Sequence, residues 1–439
     1  MRPTQMHTNA IGMKATRIML LMLPALPLAG GCGEPPAEGE QSTEAVQQAL
    51  FNGQAIAPTT NAGFLGVPQV LLPGSACSAV VYNKHWLITA AHCFNAGQDP
   101  EGDYVYWNNK IPNSVARFLQ TSASDGAGQL SILAGFRSPD INQDTALILL
   151  DPTSAGVHMP TLQAQTTAPT RYSNGHLVIY GGSNASLVGG TVLGYGWGWS
   201  GSNASGNTWN GSLNRGWKNV ISSDSLYYNE SAFNNAGTNC LGDSGGPDFW
   251  WDGGGFQLTG IHGTGNDPCN GAGGGRNNGA QAFRTWVKKT ASTLPMDGTV
   301  APEERWPASN ASDYNPSTSW SSLSFPSSAN NRNGVAIWLQ TYLATPGTVN
   351  RVNIRARCGS YKPCTKRGFP ASYNVHVWNG AWNFSGTFTQ QPDDLGVVSL
   401  SIPQVNNATA IRVTPNKLGK DEQGKYIFQL AELQPANDL

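Results

Sequence analysis

One nine-residue stretch, Asn239-Cys-Leu-Gly-Asp-Ser-Gly-Gly-Pro247, constrains this chain more than any other part of its sequence. Three glycines surround Ser244, and glycine lets a backbone turn tightly where a Cβ atom would clash. A loop of this kind can direct the N–H groups of Gly242 and Ser244 toward one point beside the serine hydroxyl. Donors aimed in this way stabilise a developing oxyanion by roughly 3–4 kcal/mol each. The stretch therefore predicts a nucleophilic serine with an oxyanion site beside it.

Two other segments supply the partners that such a serine needs. His92 ends a Thr-Ala-Ala-His string that follows an apolar run, and this string resembles the general-base motif of the trypsin-like serine proteases. Asp144 heads a second apolar run, which predicts a carboxylate at the start of a buried strand. It lies 52 residues after His92 and 100 residues before Ser244. The neighbouring Asp140 and Asp151 head no apolar run, so Asp144 is the predicted third partner.

Together these segments resemble the trypsin/chymotrypsin-like serine proteases, and the resemblance covers residues 50–294. It implies an all-β fold with two barrels, and cleavage of protein or peptide substrates by acyl transfer. The implied catalytic residues are His92, Asp144 and Ser244, with the N–H groups of Gly242 and Ser244 as the oxyanion hole. The resemblance implies neither a metal nor an organic cofactor.

Two readings from other functional classes stay open. One is an inactive protease-like scaffold, and the other is a lipid-anchored adhesin whose C-terminal domain does the binding. The presence of His92, Asp144 and Ser244 favours an enzyme, because a scaffold has no need of all three.

The resemblance also indicates where substrate specificity is set. In this family the residue six positions before the nucleophile lies at the base of the primary pocket, which here is Thr238. Asn239, Gly263 and Gly265 would leave that pocket polar and open. His262 stands in a Gly-Ile-His string similar to that of the glutamyl endopeptidases, which predicts hydrogen bonds to an acidic substrate side chain. The alternatives are a packed His262 without substrate contact, and preference for a small or medium apolar residue.

The first 32 residues predict export. Arg2, Lys14 and Arg17 precede the apolar run 18–28, which is too short to span a bilayer as a helix. The segment ends at Cys32 and resembles a bacterial lipoprotein signal, in which the cysteine is lipidated after cleavage. An ordinary cleavable signal peptide is the alternative. Either reading places the protein outside the cytoplasm, lipid-anchored at the cell envelope or extracellular.

Seven cysteines fit an oxidising compartment. Six of them form three predicted pairs, of which the resemblance implies the first two: Cys77–Cys93, Cys240–Cys269 and Cys358–Cys364. The seventh is Cys32, which the lipid reading explains. For Cys358 and Cys364 a zinc site is the weaker alternative, because no second Cys/His pair follows at ligand spacing.

Residues 33–49 are polar and proline-rich, which predicts a disordered tether or pro-segment. The family resemblance implies cleavage before a short apolar segment, which here begins at Leu50. The new α-ammonium group then pairs with the aspartate beside the nucleophile, Asp243. No basic residue precedes Leu50, so an activator of trypsin-like specificity is not expected.

The C-terminal part predicts a second β-rich domain. Residues 295–304 read as a polar linker, and residues 305–439 resemble the discoidin-like, or carbohydrate-binding, β-sandwich domains. The resemblance implies a glycan or another surface ligand, with a sandwich that binds nothing as the alternative. Tyr314, Trp320 and Tyr361 are the aromatic candidates for stacking on sugars, and core packing is the alternative for each of them.

The charge of the chain excludes some partners. Its formal net charge is −1, and only 12% of its residues are charged. Neither nucleic acid nor an anionic membrane surface is therefore an expected partner, and a membrane enters only through the lipid anchor.

Overall fold

A computed structural model describes the chain in separate segments. The described residues are 54–55, 66–72, 75–94, 114–117, 129–138, 140, 142–151, 172–173, 176–198, 213–232, 239–240, 242–265, 275–314, 318–330, 336–358, 364–394 and 396–437. All of them belong to one compact unit, residues 46–439. No helix among these residues is long and apolar enough to cross a membrane.

The first strand, Gln54–Ala55 (β1), pairs with a strand of the second sheet. The first sheet has seven strands in the order β3-β2-β6-β7-β8-β5-β4. Their bounds are Gln69–Leu72 (β2), Ser75–Ser78 (β3), Val80–Val81 (β4), Trp86–Thr89 (β5), Val115–Arg117 (β6), Gln129–Arg137 (β7) and Ala146–Leu150 (β8). Every residue of β5 and β8 is buried, as their unbroken apolar sequences predict.

The second sheet closes on itself, because its second strand β12 pairs with both β11 and β13. Its strands are Thr191–Gly196 (β11), Asn214–Ser223 (β12), Tyr227–Ala232 (β13), Pro247–Trp251 (β14), Phe256–Thr264 (β15) and Arg276–Gly279 (β16). Two short strands, Tyr172–Ser173 (β9) and His176–Leu177 (β10), precede it. The helix Ala280–Thr290 (α1) follows it. These sheets confirm the expected all-β fold with two barrels.

The C-terminal strands build a further sheet in the order β17-β19-β22-β20-β21, with β26 also paired to β19. The strands of this sheet are Met296–Val300 (β17), Leu339–Arg355 (β19), Ser372–Trp378 (β20), Trp382–Phe388 (β21), Val397–Lys417 (β22) and Glu432–Ala436 (β26). Two separate strand pairs lie beside it: Trp320–Ser321 (β18) with Gln429–Leu430 (β25), and Gly419–Lys420 (β23) with Tyr426–Ile427 (β24). Alternate residues of β20 are buried, so one face of this sheet covers a hydrophobic core.

The interval 295–304, expected as a linker, contains β17. Its backbone pairs with β19, with Thr299 opposite Thr341. Pairing satisfies the N–H and C=O groups that an extended polar segment would otherwise give to water. Just before it, Trp86 Nε1 of the first barrel donates to Thr293 O at 2.7 Å. The protease part and the C-terminal sheet are thus joined by a hydrogen-bonded strand.

The aromatic candidates of the C-terminal part lie in the interior. Trp320 is completely buried and packs edge-on against Phe428, with ring centroids 4.9 Å apart. Tyr314 is buried at the junction, where its hydroxyl accepts a hydrogen bond from Met296 N at 2.7 Å. The prediction that these two rings stack on a sugar is therefore wrong. The alternative, that both pack in the core, is confirmed. Tyr361 lies outside the described residues.

Candidate active site

The position of His92 is set by strand β5 and by a disulfide bond. A short 3-10 helix, Ala91–Phe94, follows β5, and its residues Ala91, Cys93 and Phe94 are buried. Cys93 is bonded to Cys77, as predicted. The neighbours of His92 are therefore anchored in the core while its own side chain stays 45% exposed.

Asp144 reaches His92 because their strands are neighbours. Thr89 at the end of β5 lies opposite Ala146 at the start of β8, so the residues beyond both ends meet. Asp144 Oδ2 lies 2.6 Å from His92 Nδ1, and Asp144 Oδ1 accepts a hydrogen bond from His92 N at 2.8 Å. Asn278 fixes the backbone of Asp144 from the second barrel: its Oδ1 accepts from Asp144 N at 3.1 Å and its Nδ2 donates to Asp144 O at 2.8 Å.

Ser244 comes from the second barrel, on the loop between Asn239 and β14. Gly245 has φ of +82°, and a Cβ atom there would collide with Ser78 O. The loop is therefore pressed against the first barrel, where Ser78 N donates to Ser244 O at 2.8 Å. Ser244 Oγ lies 2.8 Å from His92 Nε2. The structure thus brings together the three side chains that the sequence predicted.

The two predicted oxyanion donors lie in the same loop. Gly242 has φ of +92°, which a residue with a side chain rarely adopts, and its carbonyl accepts from Ser78 Oγ at 2.9 Å. In the part of the chain that the structure describes, the N–H groups of Gly242 and Ser244 donate to no other residue.

Asp243 points away from Ser244 into the barrel. Its Oδ1 accepts from Gly198 N at 2.8 Å and its Oδ2 from Cys240 N at 2.9 Å. Burial raises the pKa of Asp243 to about 7, although these two hydrogen bonds act in the other direction. Leu50, the expected new N-terminus, lies outside the described residues.

The predicted specificity residues fall into separate groups. Thr238 lies outside the described residues. Asn239 is buried, and a Cβ atom on Gly265 would collide with Asn239 O, so these two backbones touch. Gly263 instead faces the catalytic side, because a Cβ atom there would lie 3.7 Å from Asp144 Oδ2.

His262 does not present a nitrogen atom to a substrate, which corrects the expected hydrogen bond to an acidic side chain. It is 1% exposed, and its Nε2 lies 2.8 Å from Asp248 Oδ1. Its Nδ1 lies 3.2 Å from Asp243 O. Burial and the charge of Lys218 lower the pKa of His262, so the imidazole is neutral near pH 7. Sequence similarity in a short string could not reveal these internal partners.

Lys218, which the sequence did not single out, is the centre of a buried polar cluster. Its Nζ donates to Asn239 Oδ1 at 2.6 Å and to Asp248 Oδ1 at 2.9 Å. It also lies 3.0 Å from Glu230 Oε1 and 2.8 Å from His262 Nε2. We call these five residues the lysine cluster. All five are buried inside the second barrel.

The charges of the lysine cluster nearly balance. Burial alone would raise the pKa of Asp248, but the adjacent Lys218 and His262 hold it well below its usual range. Burial and the charge of Asp248 raise the pKa of Glu230 to about 8, although Lys218 opposes this. Near pH 7 the cluster therefore holds one ammonium, one carboxylate, a protonated Glu230 and a neutral imidazole.

One signal in the sequence could have located Lys218. Strand β12 buries Asn214, Gly216, Lys218 and Val220, while Trp217 is exposed on the other face. The strict alternation of a strand predicts that Lys218 shares a face with Val220. The large apolar Trp217 favours the opposite register, which puts the lysine in water.

The remaining cysteine predictions have mixed outcomes. The Cys358–Cys364 disulfide is present, as predicted. Cys240 is disulfide-bonded, but its predicted partner Cys269 lies outside the described residues. Cys32 also lies outside them, so lipidation stays a prediction.

No curated protein matches this chain. Among solved structures, neuropsin, a serine protease expressed in the limbic system of mouse brain, is 21% identical and has a TM-score of 0.39, covering 55% of this chain and 100% of its own. The HL collagenase is 17% identical and has a TM-score of 0.40, covering 55% of this chain and 98% of its own. Both likenesses are too distant to bear on function.

A match to a family model is decisive. The model for trypsin covers residues 62–287, which is just over half of the chain and contains His92, Asp144 and Ser244. The chain therefore belongs to the trypsin family.

Proposed function

We propose that residues 50–294 form an active serine endopeptidase that hydrolyses protein or peptide substrates. The observation that carries the proposal is one continuous set of contacts. Ser244 Oγ lies 2.8 Å from His92 Nε2, and His92 Nδ1 lies 2.6 Å from Asp144 Oδ2. A nucleophile, a base and a group that orients the base stand within hydrogen-bonding distance.

The arrangement performs acyl transfer in two steps. His92 Nε2 accepts the hydroxyl proton as Ser244 Oγ attacks the scissile carbonyl carbon, and it then gives that proton to the leaving amine. Water attacks the resulting acyl-enzyme with the same base, and the acid product leaves. Asp144 holds the proton of His92 on Nδ1 and stabilises the imidazolium that forms.

The loop around Ser244 stabilises the tetrahedral intermediate. The N–H groups of Gly242 and Ser244 would donate to the oxyanion, where each donor contributes roughly 3–4 kcal/mol. The contacts from Ser78 to Ser244 O and Gly242 O hold both donors in place before a substrate arrives.

The Ser244→Ala variant tests the proposal. We expect turnover of a peptide substrate to fall by a factor on the order of 10⁶, with an unchanged melting temperature. A fluorophosphonate probe should label the wild type and not the variant. Full activity of Ser244→Ala would contradict the assignment, and a wild type that resists labelling after processing would support a scaffold or an adhesin instead.

Activation is proposed to follow the family pattern. Cleavage before Leu50 would deliver an α-ammonium group to the buried carboxylate of Asp243, whose pKa burial raises to about 7. Asp243→Asn should then lower activity about a hundredfold or more, the cost of a displaced oxyanion donor. N-terminal sequencing of the active form checks the cleavage site, and an active form that begins elsewhere would refute it.

Export and targeting complete the proposed function. Lipidated Cys32 would anchor the enzyme at a bacterial cell envelope, and residues 305–439 would bind a glycan or another surface ligand. Mass spectrometry of the mature N-terminus tests the anchor. A terminus beyond Cys32 in all of the protein would leave a secreted enzyme.

A further inference from the structure

We propose that the outer face of the C-terminal sheet binds an uncharged polysaccharide through an array of aromatic rings. The proposal specifies the targeting role within the proposed function and does not depend on peptidase activity. The array, which we call the aromatic face, consists of Trp338, Tyr342, Trp378, Trp382, Phe384 and Arg412.

Strand register places these side chains on one side of the sheet. Arg412 of β22 lies opposite Gln340 of β19 on one side and His376 of β20 on the other, and His376 lies opposite Phe384 of β21. One row of side chains therefore crosses four strands.

A second row lies two residues further along the same strands. It runs from Tyr342 through Ala410 and Trp378 to Trp382. Since side chains two residues apart share a face, both rows point to the same side. The intervening Val377 and Ile411 are buried in the core on the other side.

The outer face exposes aromatic area where a sheet usually exposes polar side chains. Phe384 is 60% exposed and Tyr342 is 41% exposed. The ring centroids of Trp378 and Trp382 lie 5.3 Å apart, so the rings of the array adjoin one another. Contiguous exposed apolar surface of this kind marks interaction sites.

Two rings of the array, Trp338 and Trp382, are held in position before any ligand arrives. The Arg412 guanidinium stacks between Trp338 and Trp382, 4.2 Å and 4.1 Å from the ring centroids. Its Nη2 donates to Gln340 Oε1 at 2.7 Å, which fixes the plane of the guanidinium. A rigid array loses little side-chain entropy on binding, so stacking contributes more to affinity.

The chemistry of this face fits a chain of sugar rings. A pyranose ring offers a flat surface of C–H groups that stacks on an aromatic ring, and its hydroxyls take hydrogen bonds from groups at the border. Amides and a hydroxyl stand at that border, where Thr387 Oγ1 and Asn416 Nδ2 both donate to Asn374 Oδ1 at 2.7 Å. The Arg412 cation already engages two rings and an amide oxygen, which favours an uncharged chain over an anionic one among the described residues of this face.

The exposed area argues against a protein partner. An aromatic side chain carries roughly 150–250 Å² of surface, and the three tryptophans are half-buried. The array therefore offers several hundred Å², whereas a stable protein interface takes about 800 Å² from each partner. A narrow polymer needs far less.

Retention on insoluble polysaccharides tests the proposal with the full chain. Microcrystalline cellulose, chitin, xylan and a β-1,3-glucan are the probes. We expect wild type to be retained on at least one of them, and Phe384→Ala and Tyr342→Ala each to weaken retention about two- to tenfold, with a larger loss in the double variant. Trp251→Ala is the matched control, because Trp251 is 48% exposed but lies in the second barrel.

Activity on a soluble peptide separates this proposal from the proposed enzyme. It should be unchanged in the Phe384 and Tyr342 variants. Absence of wild-type retention on all four probes would overturn the proposal, as would retention that the double variant leaves intact. Self-association that disappears in the double variant would assign the face to a second copy instead. If the double variant has a lowered melting temperature, the single variant Phe384→Ser replaces it, because Phe384 is the most exposed ring. Retention of Phe384→Ser equal to that of wild type would then overturn the proposal.

Discussion

The two barrels of the protease part are stabilised in different ways. Among the described residues of the first barrel, the buried set includes no Asp, Glu, Lys or Arg, and its centre consists of side chains such as Trp86, Leu87 and Ile148. The second barrel buries Lys218 and Asp248 in contact with each other. The first barrel is thus held by apolar burial, and the second depends on directional polar contacts as well.

This difference matches what each barrel contributes to the site. The first barrel supplies His92 and Asp144 from the ends of two adjacent buried strands, where ordinary strand pairing sets their distance. The second barrel supplies Ser244 on a loop without regular pairing. The loop that carries Ser244 contacts the lysine cluster: Asp243, the residue before Ser244, has its carbonyl oxygen 3.2 Å from His262 Nδ1. In the first barrel, strand pairing positions the catalytic residues. In the second barrel, buried polar contacts stabilise the loop that carries Ser244. Four predictions test that contrast.

The largest effect is expected for Lys218→Met. Removal of the ammonium leaves the Asp248 carboxylate buried without its cation, and breaking a buried ion pair in this way costs about 3–5 kcal/mol. Urea unfolding at pH 7 measures the loss. A loss below about 1 kcal/mol would show that the cluster is dispensable to the second barrel.

A variant that removes the whole charge set provides the control. Lys218→Met combined with Glu230→Gln and Asp248→Asn leaves no buried formal charge in the cluster, so much of the lost stability should return. Equal instability of the single and triple variants would indicate a cavity or a packing fault instead.

Leu87→Ala tests the first barrel. Leu87 is fully buried, so its truncation should lower the free energy of unfolding by about 3 kcal/mol through lost burial and a residual cavity. That loss should not vary between pH 5 and pH 9, since no titrating group is removed. A loss that changed steeply with pH would contradict the contrast between the barrels.

Much of this contrast lies beyond what sequence can predict. Asp144 before an apolar run, and His92 after one, were predictable because local strand pattern determines both positions. Lys218 was not, because Trp217 favours the opposite register of its strand and the partners that bury the lysine come from outside that strand. Trp320 could not be assigned for a related reason: an aromatic residue in a short segment looks the same in sequence whether tertiary packing covers it or leaves it exposed.

A smaller effect is expected for Glu230→Gln, and it lies in the pH dependence of stability. Burial and Asp248 raise the pKa of Glu230 from 4.5 to about 8, so the folded protein keeps a proton that the unfolded chain has lost. The free energy of unfolding should therefore fall as pH rises from about 4.5 to 8, and Glu230→Gln should remove this contribution.

The difference in the free energy of unfolding between wild type and Glu230→Gln, followed over pH, reports the titration of Glu230 alone. Asp243, with its pKa raised to about 7, titrates alike in both and cancels. Urea unfolding from pH 4.5 to pH 8.5 gives the two profiles. Parallel profiles would mean that folding does not raise the pKa of Glu230.

The smallest effect concerns the cleaved bond. Because His262 is buried and neutral with internal partners, peptides with Glu or Gln before the scissile bond should be cleaved with kcat/KM values within about threefold. Leu and Ala at the same position complete the comparison. Strong preference for Glu that His262→Val abolishes would show that the imidazole reaches the substrate after all.

The strand Met296–Val300 affects how well the molecule resists proteolysis. A protease released among its own copies attacks accessible extended segments first, and a free connector between two folded parts is such a segment. Here residues 296–300 of the connector are paired with β19, so this part of its backbone cannot enter another active site without first leaving the sheet. We therefore expect the junction to resist self-digestion, and long incubation of concentrated enzyme to leave the two parts joined.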